Sequence, residues 1–365
     1  MAATRDLTKE ETLVSLPVSA ALVVAPKERC RLPSSFCSAG FYLKKPWFVQ
    51  MALKLLYERQ LGKDSVLAPY IGSLPQSFGT LLTWTDAELA ALQYSSLQQE
   101  AQRMKAALQK LHADLAVSAP STPVTDSDLT WALQAVRSRA FSGPYAGPPL
   151  QSRLKTAGAL TLLAAVSVTA AHVPLEQVLN GAIAAALFNL LYDLVLSQKV
   201  KWYAMCPVVD FLNHKSTVQS SVEYEYFKER FSVSCAASFS KGTQVFISYG
   251  QQSNDSLLQY YGFVEPGNPH DTYVLPDLAA AVGPALAAAK LPSSKGVLTR
   301  AGFDEQTSRV LREAGLTDQQ MEQALRCICD TELTRMRSKP GSDTSLAQAF
   351  RTEKASVLHE CLQHH

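Results

Sequence analysis

Phe246-Ile247-Ser248-Tyr249-Gly250, then Ser253-Asn254, then Leu257-Leu258-Gln259-Tyr260-Tyr261-Gly262-Phe263-Val264-Glu265 is the stretch that decides how the chain is read. Lys241-Gly242 marks a turn, and Gln244-Val245-Phe246-Ile247-Ser248 reads as the strand behind it. Ser253-Asn254 has the chemistry of a helix N-cap. Taken alone, Tyr249 and Tyr261 read as half-buried aromatics whose hydroxyls reach water.

Two blocks lie upstream. Cys206-Pro207-Val208-Val209-Asp210-Phe211-Leu212-Asn213-His214 follows an apolar strand, where an isolated Asn-His pair reads as a turn. Arg137-Ser138-Arg139-Ala140-Phe141 closes a helix, and Arg139 alone reads as a salt-bridged surface residue.

With 365 residues, the chain can bury a large core as one big domain or two ordinary ones. Hydrophobic residues are 47% and charged residues 18%, which excludes a disordered chain. Lys plus Arg is 34 against 32 for Asp plus Glu, so overall charge drives no nucleic-acid affinity, and direct nucleic-acid binding is not predicted. Seven Cys residues without a C-x-x-C pair predict free thiols in a reducing compartment. Met1 to Glu11 is polar and charged rather than a secretory leader, which predicts a cytoplasmic or nuclear protein unless a leader lies outside this chain.

Thr12–Leu16 and Ala21–Val24 read as short strands broken by Pro17. Trp47–Leu61 carries apolar residues at helical spacing and stops at Gly62. A helix start at Thr85-Asp86-Ala87-Glu88, a helix over Leu97–Leu115 and another over Leu129–Phe141 follow, with a Ser/Pro/Thr/Asp linker at 118–128. Thr156–Ala171 holds no charge and Val178–Leu196 only Asp193, which predicts a helical hairpin flanked by Arg153, Lys155, Lys199 and Lys201. Each run is at the short end of what crosses ~30 Å of hydrocarbon at ~1.5 Å per residue. An insertion packed on the core or on a partner is therefore the preferred reading of 156–196, with a membrane-docked hairpin as its alternative. Val222–Phe227 and Phe231–Cys235 read as a hairpin, and the tail beyond Leu275 as helices broken at Pro292 and at Lys339-Pro340-Gly341.

Together and in this order, the three blocks resemble the SET-domain methyltransferases, in particular the Rubisco large-subunit-methyltransferase-like branch. That branch has an S-R-A-F helix end, a P-x-x-D-x-x-N-H segment and a Y-G…S-N-x-x-L-L-x-x-Y-G-F-x-E run. The likeness covers roughly residues 3 to 275, the 150–200 insertion being unmatched in shorter members. Arg351-Thr352-Glu353-Lys354 echoes the family's R-x-x-E-K, one residue short. The insertion and the phrasing around Tyr249 also look like the plastid SET proteins that accompany the chloroplast RNA polymerase.

The resemblance implies an α+β fold: a SET-domain β-fold of short strands with a helical insertion and a helical C-terminal lobe. It divides the chain into a SET domain over 1–275, N-terminally incomplete and carrying helical insertions at about 41–141 and 154–200, and a substrate-binding lobe over 276–365. It implies S-adenosyl-L-methionine as cofactor, a protein as substrate or partner, and no metal. Cys327-Ile328-Cys329 has no third Cys nearby and reads as two ordinary helical thiols. Site roles carry over residue by residue. Tyr249 matches the catalytic tyrosine, and Asn213 and His214 match the pair whose backbone holds the adenine. Arg139 matches a residue touching both cofactor and substrate, and Phe263 a ring packed on the cofactor. Asp210, Tyr261 and Tyr224 (Tyr226 if the register slips) match positions lining the lysine channel.

The chemistry accounts for these residue types. Methyl transfer from a sulfonium needs alignment more than acid–base power. The lysine nucleophile must be neutral although its ordinary pKa is ~10.4, and a narrow aromatic channel beside a positive charge disfavours its ammonium form. Carbonyl oxygens and a tyrosine hydroxyl around the methyl stabilise developing charge.

Three departures from the family pattern stand out. The resemblance places Ala3-Thr4-Arg5-Asp6-Leu7 just after the family's Gly-x-Gly strand, so one wall of the cofactor site is expected to be missing. Lys215 replaces the usual Ser, a cation unfavourable beside a sulfonium unless it points outward. Gly143 stands where the Rubisco-type enzyme has a second substrate Arg. Two functions follow: a protein-lysine N-methyltransferase, located in the plastid by the closer likeness, or a non-catalytic SET module serving as an assembly or interaction subunit, for example of a plastid transcription complex.

Overall fold

The computed structural model describes residues 1–25, 28–119, 122, 124–144, 166, 168, 169, 173–191, 201–219, 222–225, 229–283, 294–337 and 344–364. The short predicted strands are present and assemble into small separate sheets. β1 (Thr12–Pro17), β6 (Val222–Glu225) and β7 (Arg230–Ser234) form one antiparallel sheet in the order β1-β7-β6. β2 (Leu22–Val24), β3 (Ala140–Pro144) and β4 (Lys201–Met205) form a second, with Met205 opposite both Leu22 and Ala140. β5 (Asn213–His214) and β8 (Phe246–Ile247) pair in parallel, Asn213 with Phe246 and His214 with Ile247. This pair brings the second and third sequence blocks together.

Helix Trp47–Leu61 ends at Gly62, whose φ of 57° suits a residue without a Cβ. Thr85 and Glu88 form a capping box at the start of helix Asp86–Ala91, and Thr125 and Asp128 form another before Asp126–Arg139. That last helix was expected to run to Phe141. It stops at Arg139 because Ala140 and Phe141 turn extended and pair with Met205 and Ala204. The tail was expected to be all helical. It contains β10 (Gly296–Thr299) and β11 (Gly302–Phe303), which pair with β9 (Tyr273–Leu275) to give the order β11-β10-β9. Val297 and Leu298 supply the β-branched and apolar side chains for that sheet.

Within the apolar insertion, helix Leu175–Leu191 is described, and Leu179, Ile183 and Leu187 are exposed along it. The run 156–171 lies outside the described residues except for 166, 168 and 169, as does Tyr226. Among the described residues no helix is long and apolar enough to cross a membrane.

The buried apolar side chains form three clusters. One gathers helix Trp47–Leu61 with helix Asp126–Arg139, a second gathers the strands around Trp202, Phe231 and Ile247, and a third holds Tyr94, Leu258, Tyr273 and Phe350 with the C-terminal helices. The candidate site lies where the three meet. Arg139 leaves the first, Tyr249 packs on the second, and Leu258 anchors Tyr260 and Tyr261 to the third.

Candidate active site

Tyr249 lies two residues past the end of β8, so the parallel pairing of β8 with β5 sets its position. Its backbone N–H donates to His214 Nδ1 at 3.0 Å, and its hydroxyl donates to the Leu212 carbonyl at 2.7 Å. The two rings stack, with centroids 5.0 Å apart and planes 27° from parallel. On its other side Tyr261 stacks on Tyr249 at 4.9 Å, and Phe141 meets it edge-on at 6.5 Å. Burial pushes the Tyr249 phenol upward, with Tyr261 adding to the effect, so the hydroxyl stays protonated.

Because His214 Nδ1 accepts a hydrogen bond, a neutral ring carries its proton on Nε2. Nε2 faces Glu265 Oε2 at 3.4 Å. Burial lowers the His214 pKa and Glu265 partly offsets this, so the ring is neutral at pH 7. Glu265 is held in turn: its Oε1 accepts from both the N–H and the hydroxyl of Ser216 at 3.0 Å, and its own N–H donates to Asn254 Oδ1 at 2.9 Å. Asn254 is fully buried and also donates from Nδ2 to Asp271 at 2.9 Å. It therefore cross-links the loop rather than capping a helix, and Ser253 stands at the cap position without a side-chain cap bond.

Asp210 is buried. Tyr70 donates its hydroxyl to Oδ2 at 2.6 Å, and Arg139 Nη1 donates to the Asp210 carbonyl at 3.0 Å and to Oδ2 at 3.3 Å. Burial raises the Asp210 pKa, and Tyr70 and Arg139 oppose it. Asp210 Oδ1 and Arg139 Nε are buried without a hydrogen-bond partner among the described residues. Arg139, Asp210, Tyr249 and Tyr261 line one cavity of about 420 Å³.

Five residues singled out from the sequence, Arg139, Asp210, His214, Tyr249 and Tyr261, thus gather around this cavity, and four of them line it. Asn213 is exposed and joins through its main-chain pairing to Phe246. Phe263 packs 6.3 Å from both His214 and Tyr261, one ring back from the cavity wall. Tyr224 departs from the expectation. It lies against Trp202 at 6.0 Å and Phe231 at 5.2 Å in the strand core, whereas Val222 of the same strand lines the cavity. A large ring at 224 is drawn to the apolar face of its own sheet, where burial rewards it. Lys215 is exposed with Nζ 5.8 Å from the Phe246 ring centroid, and it is not among the residues that line the cavity.

Sequence reasoning passed over Tyr70, Trp47, Arg137 and Tyr260. Arg137 and Tyr260 stood inside the quoted blocks, two and one positions from residues that were named. Tyr70 and Trp47 carry no local signal, because helical segments distant in sequence deliver them.

The Arg351-Thr352-Glu353-Lys354 echo also finds its place. Lys354 is fully buried and donates to Asp271 Oδ1 and to the Thr272 carbonyl, both at 2.7 Å, and to Asp255. Glu353 accepts from the Gly267 N–H at 2.8 Å, and Arg351 donates to the Ala91 carbonyl. The C-terminal helix Ser345–Gln363 is thereby fastened to the loop that carries Asn254 and Glu265. Among the described residues no group of His, Cys, Asp and Glu could hold a metal ion.

No family model matches the chain. It is 26% identical over 286 residues to the chloroplastic ribulose-1,5-bisphosphate carboxylase/oxygenase large subunit N-methyltransferase of Pisum sativum, covering 75% of this chain and 47% of that one. It is 23% identical over 271 residues to SET domain-containing protein 4 of Homo sapiens, covering 73% and 52%. It is 24% identical over 281 residues to the actin-histidine N-methyltransferase of Drosophila melanogaster, covering 74% and 44%. This chain therefore spans about half the length of these curated relatives. A solved SET domain of LSMT bound to lysine and AdoHcy superimposes with a TM-score of 0.61 at 16% identity, covering 99% of this chain and 83% of that one. Rubisco LSMT bound to sinefungin and monomethyllysine gives 0.59 at 18% identity, covering 99% and 82%.

The structural comparison gives the fold, which is that of a SET domain, and the sequence relatives are SET-domain proteins. Within that class it resembles the Rubisco large-subunit methyltransferase type.

The residues around the cavity suit S-adenosylmethionine on their own chemistry. Phe141, Tyr249 and Tyr261 give the cavity an aromatic wall, a surface that accommodates a cation. Among the described residues Asp210 Oδ1 and Arg139 Nε are a buried acceptor and donor without partners, which suits completion by a ligand.

Proposed function

We propose that this chain is an S-adenosylmethionine-dependent protein-lysine N-methyltransferase of the SET type. The observation that carries the reading is the Tyr249 hydroxyl. Its single proton is committed to the Leu212 carbonyl, and the residue lines a cavity with aromatic and acidic walls. A hydroxyl fixed in this way has only lone pairs left to offer, which suits a positively polarised methyl or amine.

Arg139, Asn213, His214 and Phe263 would hold the cofactor, which when bound supplies an electrophilic methyl on a sulfonium. Asp210, Tyr261 and Arg139 would receive the lysine side chain of a protein substrate. Tyr261 and Tyr249 wrap the amine in apolar ring surface, which lowers its pKa by desolvation. Asp210 accepts a hydrogen bond from the amine and orients it. His214 is a positioning residue: it holds the Tyr249 backbone and its ring backs the phenol.

The exposed Lys215 side chain is compatible with this reading, because it does not line the cavity. For location, the chloroplastic pea relative supports a plastid protein. The test is calorimetric binding of S-adenosylmethionine to this chain, with transfer of labelled methyl to lysines in a plastid protein extract. Micromolar binding with labelled lysine is the expected result. A chain that neither binds the cofactor nor labels any protein is the non-catalytic assembly subunit instead.

A further inference from the structure

A second cavity, of about 450 Å³, shares Arg137 and Tyr260 with the first as lining residues, so those two side chains form the partition between them. The Arg137 guanidinium lies 3.9 Å from the Tyr260 ring centroid and 5.0 Å from that of Phe48. Stacked on both rings, it makes a wall one side chain thick. Beyond the wall the lining is largely carbon, from Phe48, Val49, Leu82, Met104, Leu108 and Leu111. The charges at its rim are paired already: Lys45 and Lys110 both bind Asp114, at 3.1 and 3.2 Å, and Glu100 meets Arg103 at 3.5 Å. Among the described residues no buried, unpartnered polar side chain lines this groove, so nothing there would orient a polar small molecule.

We propose that this groove is a specificity subsite that takes one large apolar side chain (Leu, Ile, Met or Phe) of the protein substrate, two to four residues from the acceptor lysine. The inference rests on the methyltransferase reading of the first cavity. Its occupant is argued from continuity, because a polypeptide delivering a lysine past Tyr261 runs beside the Arg137–Tyr260 partition. An extended chain advances ~3.3 Å per residue, so two to four residues span roughly 7–13 Å, enough to pass a wall one side chain thick. Ala107 lies exposed on the groove wall, where added bulk fills the space without entering the core.

The test uses a library of peptides with a central lysine and randomised flanks, applied to this full chain and to Ala107→Trp and Leu108→Gln. Bound peptides are sequenced, and methylated peptides are sequenced separately. The expected result is about 10-fold enrichment of large apolar residues at one fixed offset, reduced to near 1-fold in both variants, with the affinity for S-adenosylmethionine unchanged. Binding or methylation without positional apolar enrichment, or enrichment that survives Ala107→Trp, overturns the subsite. Enrichment in the bound pool without any methylation keeps the subsite and overturns the catalytic reading, so the two failures are told apart. A chain that binds no library peptide overturns the subsite as well.

Discussion

The main-chain N–H of Tyr249 donates to Nδ1 of His214 at 3.0 Å, and the two rings lie face to face. The contact joins residues 35 positions apart and exists because β5 and β8 run in parallel side by side. It fixes the histidine tautomer and the direction of the phenol together. With its other end on the Leu212 carbonyl, the Tyr249 side chain is held at both backbone and hydroxyl.

Removal of that hydroxyl alone is informative. Tyr249→Phe retains the ring stack with His214 and Tyr261, so S-adenosylmethionine binding is expected to stay within about 2-fold by calorimetry. Methyl transfer is expected to fall by roughly 10²-fold or more, the scale of losing one preorganised polar group in a dry site. Unchanged turnover in Tyr249→Phe would remove the phenol from the chemistry.

The lowered pKa of His214 has a signed consequence for stability. In the unfolded chain a histidine titrates near ~6.5, while burial keeps His214 neutral to lower pH in the fold. Below pH ~6.5 the unfolded state therefore binds more protons than the folded one, and stability rises with pH. The contribution is complete above pH ~6.5 and is lost as pH falls through the folded-state value. Melting curves between pH 5 and 7.5 are expected to show a steeper acid loss in the wild type than in His214→Phe, which lacks the titration. Identical slopes would show that the ring is not held neutral.

Lys354 tests the attachment of the C-terminal helix. It is buried between Asp255 and Asp271, so Lys354→Met leaves two buried carboxylates without their cation. Breaking a buried pair in this way costs about 3–5 kcal/mol, which should appear as a lower urea midpoint. Burial raises the Asp255 pKa, so Asp255→Asn is expected to recover part of the loss in the Lys354→Met background. A midpoint unmoved by Lys354→Met would mean that the cluster contributes nothing to the fold.

Gly262 ends the π-helical turn Leu257–Tyr261 with φ at +74°. A Cβ there would sit 2.8 Å from the Gly79 carbonyl carbon, so Gly262→Ala meets both a backbone penalty and a main-chain clash. Gly250 has φ +94°, yet its Cβ would meet nothing closer than 3.6 Å, so Gly250→Ala carries the conformational term alone. Gly262→Ala is expected to lose more than ~1–2 kcal/mol and to exceed Gly250→Ala. Tryptophan fluorescence during denaturation gives the comparison, and equal losses would mean that the Gly79 contact yields freely.

Much of this architecture was legible locally. The helix from Trp47 to Leu61, the helix start at Thr85 and the short strands flanking residue 230 follow from periodicity, capping chemistry and turn residues, all of which act within a few positions. The three motif blocks contain Arg139, Asp210, His214, Tyr249 and Tyr261, which the fold gathers around one cavity. What the blocks could not disclose was set by neighbours far along the chain. Phe141 leaves its helix because β4 offers hydrogen bonds, and Tyr224 turns to Trp202 and Phe231 because the strand core buries its ring.

By itself, then, the sequence determined residue chemistry and much of the short-range conformation: where helices start and stop at caps and glycines, and which side chains can bind, polarise or orient. Tertiary structure alone decided that Tyr70 completes Asp210, that Arg137 and Tyr260 divide two cavities, and that Lys354 ties the last helix to the site loop. Those contacts span tens to hundreds of residues. They form because cores exclude water and leave buried polar groups to find partners wherever the packed chain brings them, and no local pattern records that.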